Sequence, residues 1–420
     1  MTQITNPKNV HYLALEGGGG KGVTYLGAIK ALEKFGVLPI DIDRPDKNQI
    51  KGISGASAGA ITGMFLAMGY TSAEIQNMLS NSSIFTGFFD DPFVGTVRSV
   101  DKKNRPTLKT EIPSGSSYRD IMRQRRSSIL GFTLLINAVG YLARAGTFGN
   151  ISNPIIKRLV SSPENYLNNI LFDRGMFPGV AVRQFLQNSI YDQLWEKFVE
   201  KTTPPGEPKP IPRIDGSEIN FRTFFELTGV DLVITGANIS RHKPAVFSMR
   251  HTPDFPVAEA VGISMNLPFL FKPVHVEASV PVGQYNLGED DYHGMWIDGG
   301  ILNNFPLHAF DFLSPSISTK YPNLKPLNPN MLGLRLTEGP SDRVSSNKSS
   351  SFDVFFKHLS NVMGTVLYPS EEGQIRNQDE REQTIDLYTY DLETTEFAPP
   401  QSKSKTPIAE AEKAVLKYFS

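Results

Sequence analysis

The chain contains no cysteine among its 420 residues. A disulfide framework, a thiolate zinc cluster and a cysteine nucleophile are therefore excluded. Long apolar runs are missing too. The greasiest stretch, Ile129–Leu142, is interrupted by Thr133 and Asn137 and falls short of the roughly 17–25 apolar residues a spanning helix needs. Nor is there an excess of one charge: 42 Lys and Arg face 43 Asp and Glu, a formal net charge of −1. That balance argues against a nucleic-acid binder, which would present a strongly basic face. Met1–Val10 is polar and lacks the charged-then-apolar order of a secretory leader. The expectation is a cytoplasmic or peripheral membrane protein, with leaderless export left open.

What is present suits a folded protein: 40 % apolar residues, 35 Gly and 30 Pro, without an internal repeat. The N-terminal region alternates strand and helix signals. His11–Leu15 reads as a short buried strand, followed by a glycine run and then by Tyr25, Leu26, Ile29, Leu32 and Phe35 at helical spacing, with Gly36 as the stop. A second strand near Ile50–Ile53 enters a small-residue turn and a helix ending near Gly69. Strand, tight turn and helix, twice over, indicate an α/β layered fold. Further strand signals lie at Asp231–Ile234, Met295–Ile297, Met331–Leu336 and Thr384–Tyr390, and Ile408–Phe419 reads as a closing amphipathic helix. Ser99–Ser117 and the proline-rich Thr202–Arg213 read as surface loops. No linker splits the chain cleanly. The expected organisation is one catalytic domain over 1–420, with insertions around 99–150 and 200–215 and a C-terminal extension of the same domain over 330–420.

The sharpest chemical signal is Gly55-Ala56-Ser57-Ala58-Gly59, a G-x-S-x-G at a strand-to-helix turn. A nucleophilic serine needs a sharp corner to expose its Oγ, and glycines two residues either side let neighbouring backbone approach. The helix start then offers amides to a developing oxyanion. Gly17–Gly22 is the second signal, a run that leaves backbone amides free at a helix start. If the two strands are parallel neighbours, both turns sit side by side at one edge of the sheet. The same run formally matches a dinucleotide fingerprint, Gly17-x-Gly19-x-x-Gly22, with Asp41 and Asp43 about 20 residues on. That rival, a nucleotide-binding module, leaves the serine turn unexplained. A Walker A loop fails, because Leu15 stands where its first glycine belongs and Gly22 where it needs Ser or Thr.

Trp296-Ile297-Asp298-Gly299-Gly300 is the third signal: a carboxylate at the end of an apolar strand, followed by two glycines. Asp298 there can take the Ser57 proton directly, as general base of a two-residue dyad. The competing Ser-His-Asp esterase would draw its histidine from His308 or His358, the only two that follow Asp298. Two apolar clusters invite a membrane or acyl-groove role: Ile129–Leu142, preceded by Arg119, Arg123, Arg125 and Arg126, and the group Ile84, Phe85, Phe88, Phe89 and Phe93.

Taken in order, these segments resemble the patatin-like phospholipases. The resemblance rests on Gly17–Gly22, Gly55–Gly59 and Asp298-Gly299-Gly300-Ile301-Leu302-Asn303-Asn304-Phe305-Pro306, with weaker likeness at Arg174–Gly179, Thr223–Gly229, Ala258–Val274, Thr384–Asp386 and Thr395–Phe397. It implies a three-layer α/β/α sandwich on a mostly parallel central sheet, and a Ser–Asp dyad that hydrolyses lipid acyl esters. By motif, Ser57 is then the nucleophile, Asp298 the base, and the amides of Gly18, Gly19 and Gly20 the oxyanion hole. Gly17, Lys21, Gly22, Gly55, Gly59, Gly299 and Gly300 support them. No metal or cofactor is expected. The expected partner is lipid at a membrane or micelle surface. One departure is Gly262, where the family often carries Ala or Ser.

Overall fold

The computed structural model describes residues 3–81, 84, 87–89, 96–110, 120, 163–212, 216–277, 292–311, 327–338, 377–392, 394 and 399–420. Its first strand, β1 (Tyr12–Leu15), is followed by helix α1 (Tyr25–Lys34), β2 (Gly52–Gly55), α2 (Ala58–Ala67) and α3 (Ser72–Ser80). A hairpin of β3 (Thr96–Val100) and β4 (Pro106–Thr110) comes next, then β5 (Gly175–Phe177), β6 (Asp231–Asn238), β7 (Lys243–Phe247), β8 (Phe269–Phe271), β9 (Val274–Val276), β10 (Gly294–Asp298), β11 (Met331–Thr337) and β12 (Thr384–Tyr388). Further helices between and after these strands include Pro163–Asp173, Val180–Thr202, Val257–Ser264 and the C-terminal Gln401–Tyr418.

The main sheet runs β12-β11-β1-β2-β6-β10-β9-β3-β4, with β7 also paired to β6. Its first five strands are parallel. β10 enters antiparallel to both β6 and β9. Helices cover both sides, giving a mixed α/β sheet. The alternation in β1 shows why both faces must be covered. Leu13 and Leu15 join the large core with Ile53, Leu232 and Leu334, while Ala14 faces the other way, into a cluster with Val233, Phe305, Leu307 and Phe310. Successive side chains on a strand point to opposite faces, so a strand with no polar residue is stable only between two layers.

Two stretches differ from their reading in sequence. Ser99–Ser117, expected as a loop, contains the end of β3 and all of β4. The polar residues that suggested a loop serve the hairpin: Asp101 accepts the Lys103 and Arg105 amides at 2.8 and 2.9 Å and closes the turn. The closing helix begins at Gln401, seven residues before the expected Ile408, and holds Pro407 within its length. It packs along α1, where a Cβ on Gly27 would lie 1.9 Å from the Ile408 carbonyl. Residues 203–212 form no regular element, as expected.

Candidate active site

Parallel pairing of β1 with β2 places Leu15 opposite Gly55, so the chain leaves both strands at the same level. After Gly55 it turns sharply into α2, with Ser57 at φ 48° and ψ −118°. A non-glycine residue with positive φ is strained, and such strain is held where the surroundings over-determine it. They do so here. A Cβ on Gly55 would stand 2.4 Å from the Gly59 carbonyl oxygen, and one on Gly59 2.3 Å from that of Leu15. The two glycines are thus required by close approach of backbone to backbone. The Ser57 amide donates to Ser264 Oγ at 3.0 Å, from the end of helix Val257–Ser264.

The glycine run lies against this turn. Gly17 leaves no room for a Cβ, which would sit 3.1 Å from Ser57 Cβ and 2.2 Å from Asn304 Oδ1. Asn304 brackets the loop: its carbonyl accepts the Gly17 amide at 2.9 Å, and its side chain donates to the Gly17 carbonyl and to Glu16 Oε1, both at 3.2 Å. The Gly18 and Gly19 amides donate to no group among the described residues. The Gly20 amide does: it reaches the Thr394 carbonyl at 2.9 Å. Lys21 is nearly buried and pairs with Glu338 at 3.3 Å, and Gly22 packs on Ala58.

Asp298 reaches the same place from the opposite direction. β10 runs antiparallel to β6 and ends with Asp298 beside Gly236, two residues beyond the Ile234 that faces Gly55. Gly299 packs against the Thr235 backbone, and the Gly300 amide donates to Asp298 Oδ1 at 2.7 Å. The Asp298 amide is held by the Asn266 carbonyl at 3.0 Å. Asp298 is completely buried, and its Oδ2 has no hydrogen-bond partner. Burial pushes its carboxyl up to about 7, while the Gly300 amide and then the Ser57 hydroxyl pull it down. The serine hydroxyl therefore stands beside the carboxylate without closing a hydrogen bond of ordinary geometry, an arrangement that commonly tightens only when substrate binds.

The segment between Gly262 and Lys272 thus holds both Ser57 and Asp298 by the backbone, a role that no sequence motif announced. Gly262 itself is explained by Arg98. A Cβ at Gly262 would lie 2.8 Å from Arg98 Nη1, and that guanidinium, buried, donates to Glu259 at 3.0 Å, Asn266 Oδ1 at 3.1 Å and the Gly262 carbonyl at 3.3 Å. The residue missing at Gly262 is replaced by a cation that fixes the segment.

Beside Ser57 opens a cavity of about 140 Å³. Its walls are α1 (Leu26, Ile29), α2 (Ile61, Phe65), α3 (Ile75, Leu79), Phe88, Met265 and, from the C-terminal helix, Ser404 and Ile408. Several polar groups on this wall are already engaged: Thr62 donates to the Ala58 carbonyl, Ser404 to that of Pro400 and the Tyr25 hydroxyl to that of Glu16. The surface left for an occupant is mainly hydrocarbon. Of the expected phenylalanine cluster, Phe88 lines the cavity and Phe89 is buried between Phe177 and Phe271. Phe85, Phe93, the arginines 119, 123, 125 and 126, and residues 129–142 lie outside the described residues, as does His358.

The rival readings fare worse. His308, the proposed triad histidine, turns both ring nitrogens to other carboxylates, Asp311 at 2.6 Å and Glu380 at 3.2 Å. Asp41 folds onto Arg44, and Asp43 pairs with Lys197.

The profile of the patatin-like phospholipases matches residues 13–311. The chain belongs to this family. Among named relatives, it is 31 % identical over 107 residues to a probable lipid hydrolase, 463L, of Invertebrate iridescent virus 6, and 32 % identical over 123 residues to the uncharacterised protein R571 of Acanthamoeba polyphaga mimivirus. These matches span 26 and 29 % of this patatin-like chain and only 29 and 36 % of the relatives' own lengths. Among solved structures, VipD from Legionella pneumophila aligns with 98 % of the chain and 67 % of its own, at 20 % identity and a TM-score of 0.45. The family match stops at residue 311, yet β11, β12 and the C-terminal helix continue the sheet and the cavity wall beyond it. No helix among the described residues is long and apolar enough to cross a membrane.

Proposed function

We propose that this protein hydrolyses fatty-acyl ester bonds of lipids through an acyl intermediate on Ser57, with Asp298 as its base. The carrying observation is the meeting of a strained, near-buried serine with a buried carboxylate whose Oδ2 is unpartnered, at the end of an apolar cavity.

In the first half-reaction Asp298 takes the Ser57 proton while Oγ bonds to the ester carbonyl carbon. The carbonyl electron pair moves to oxygen, and the resulting oxyanion is held by the Gly18 and Gly19 amides. Each such donor is typically worth on the order of 10²–10³ in rate. The Gly20 amide joins them only if it leaves the Thr394 carbonyl. Collapse of the intermediate expels the alcohol, which takes the proton from Asp298, and leaves acyl-Ser57. Water, deprotonated by the same carboxylate, attacks the acyl carbon, and Ser57 leaves with that proton as the fatty acid departs. One carboxylate, the Asp298 that meets the Ser57 hydroxyl, serves both halves. A carboxyl near pH 7 is matched to that work, since a base operates best close to ambient pH.

The acyl chain occupies the cavity between α1, α2, α3 and the C-terminal helix. This makes the C-terminal helix part of the catalytic unit. The test is fatty-acid release from mixed phosphatidylcholine and phosphatidylglycerol vesicles by wild type and Ser57→Ala. Release that disappears in the variant supports the proposal; release that survives it overturns the assignment of Ser57.

A further inference from the structure

Phe269 stands where a phenylalanine should not. It has φ +63°, a left-handed conformation that suits glycine or asparagine, and its side chain is 49 % exposed. A bulky residue kept in a strained conformation with half its ring in solvent serves neither the turn nor the core. The turn itself is tightly built. The Phe271 amide donates to the Leu267 carbonyl at 3.0 Å, and Asn266 Nδ2 closes the base on the Lys272 carbonyl at 2.7 Å, leaving Phe269 at the tip. The feet of this turn are the groups that hold the site: Ser264 accepts the Ser57 amide, Asn266 accepts the Asp298 amide, and Met265 between them lines the cavity.

A charge lies next to the tip. Phe269 pairs in register with Gly175. The residue before Gly175, Arg174, is exposed, has φ +64°, and makes no ion pair with any described residue. An exposed aromatic ring beside an unpaired guanidinium suits the boundary of a phospholipid bilayer, where the ring enters the acyl edge and the cation meets phosphate.

We propose that Phe269, with Arg174 beside it, is an interfacial anchor that seats the mouth of the active site on an anionic phospholipid bilayer. This rests on the lipid-hydrolase reading for its purpose, but its test requires no turnover. The test is co-sedimentation with phosphatidylcholine–phosphatidylglycerol vesicles, in a Ser57→Ala background so that the vesicles stay intact. Phe269→Gly keeps the left-handed turn and removes only the ring. Half of a phenylalanine's transfer free energy corresponds to a five- to tenfold weaker partition, roughly. Phe269→Trp should bind at least as well as the parent. Arg174→Asn should weaken binding to the mixed vesicles about fivefold and leave binding to pure phosphatidylcholine unchanged. A thermal midpoint within about 2 °C of the parent, for Phe269→Gly or for the equally turn-compatible Phe269→Asn, shows that the fold is kept. Equal partition of Phe269→Gly and parent, or a parent that does not sediment with vesicles at all, overturns the anchor. Ester hydrolysis that depends on Ser57 stands or falls separately.

Discussion

Replacing Asp298 with Asn should make the protein more stable above neutral pH while abolishing its activity. Burial raises the Asp298 carboxyl from 3.8 to about 7. In the folded state it binds its proton more tightly than in the unfolded chain. Below pH 3.8 both states are protonated and no stability is lost. As pH rises, the unfolded chain ionises first, so stability falls progressively until the folded carboxyl also ionises near pH 7, and is level above that. A gap of about three pH units, at about 1.4 kcal/mol each, amounts to about 4 kcal/mol at pH 8. An asparagine never ionises and escapes the whole of it. The variant should therefore gain about 4 kcal/mol at pH 8 and well under 1 kcal/mol at pH 4. With an unfolding entropy of about 2.1 cal/mol/K per residue, the gain at pH 8 corresponds to a midpoint about 5 °C higher. Calorimetry on both proteins at pH 4, 6 and 8 reads this directly. Packing differences between Asp and Asn add an offset that does not depend on pH, so the change with pH is what matters. A difference that stays constant from pH 4 to 8, or an Asp298→Asn protein that loses stability as pH rises relative to wild type, refutes the reasoning.

The remaining expectations follow from the same geometry. On the proposed mechanism the ionised form of Asp298 accepts the serine proton, so kcat/KM for a soluble ester should fall about tenfold per pH unit below about pH 7 and level off above it, whereas a flat profile from pH 5 to 8 would remove Asp298 as base. Ser264→Ala strands the buried Ser57 amide, which should cost about 1–3 kcal/mol in stability and lower kcat with little change in KM; unchanged kcat would show that this bond does not hold the turn. Ile408→Trp fills the cavity from the C-terminal helix and should shift the preference among p-nitrophenyl esters toward shorter chains. An unaltered chain-length profile would place the acyl chain elsewhere.

Much of the site was legible in the sequence because its parts are local. The Gly55–Gly59 turn needs small residues within five positions of one another, and the contacts of Gly55 and Gly59 are those the spacing foretold. The glycine run and Asp298 were equally visible as strand ends. Convergence of the glycine run with the Ser57 turn was expected from parallel neighbours, and β1 and β2 pair that way. Asp298 arrives differently, on an antiparallel strand, because β6 extends past Gly55 and offers Gly236 to Asn238 for pairing. What stayed hidden is long-range. Ser264 is 207 residues from Ser57, and a lone serine at a helix end carries no signal of that bond. Thr394 faces Gly19 and Gly20 across the same kind of distance. The polar Asp101–Arg105 turn suppressed the strand signal of the β3–β4 hairpin, since its side chains serve the turn rather than the sheet. The part played by the C-terminal helix depends on the close packing at Gly27, which a helical period does not reveal.

The most direct test of Ser57 as an activated nucleophile is covalent labelling with a fluorophosphonate, read by mass spectrometry of the labelled peptide. The expected result is one adduct on Ser57, formed more than tenfold more slowly in Asp298→Asn. A protein that takes no label on Ser57, or that labels at the same rate without the Asp298 carboxylate, would contradict the dyad.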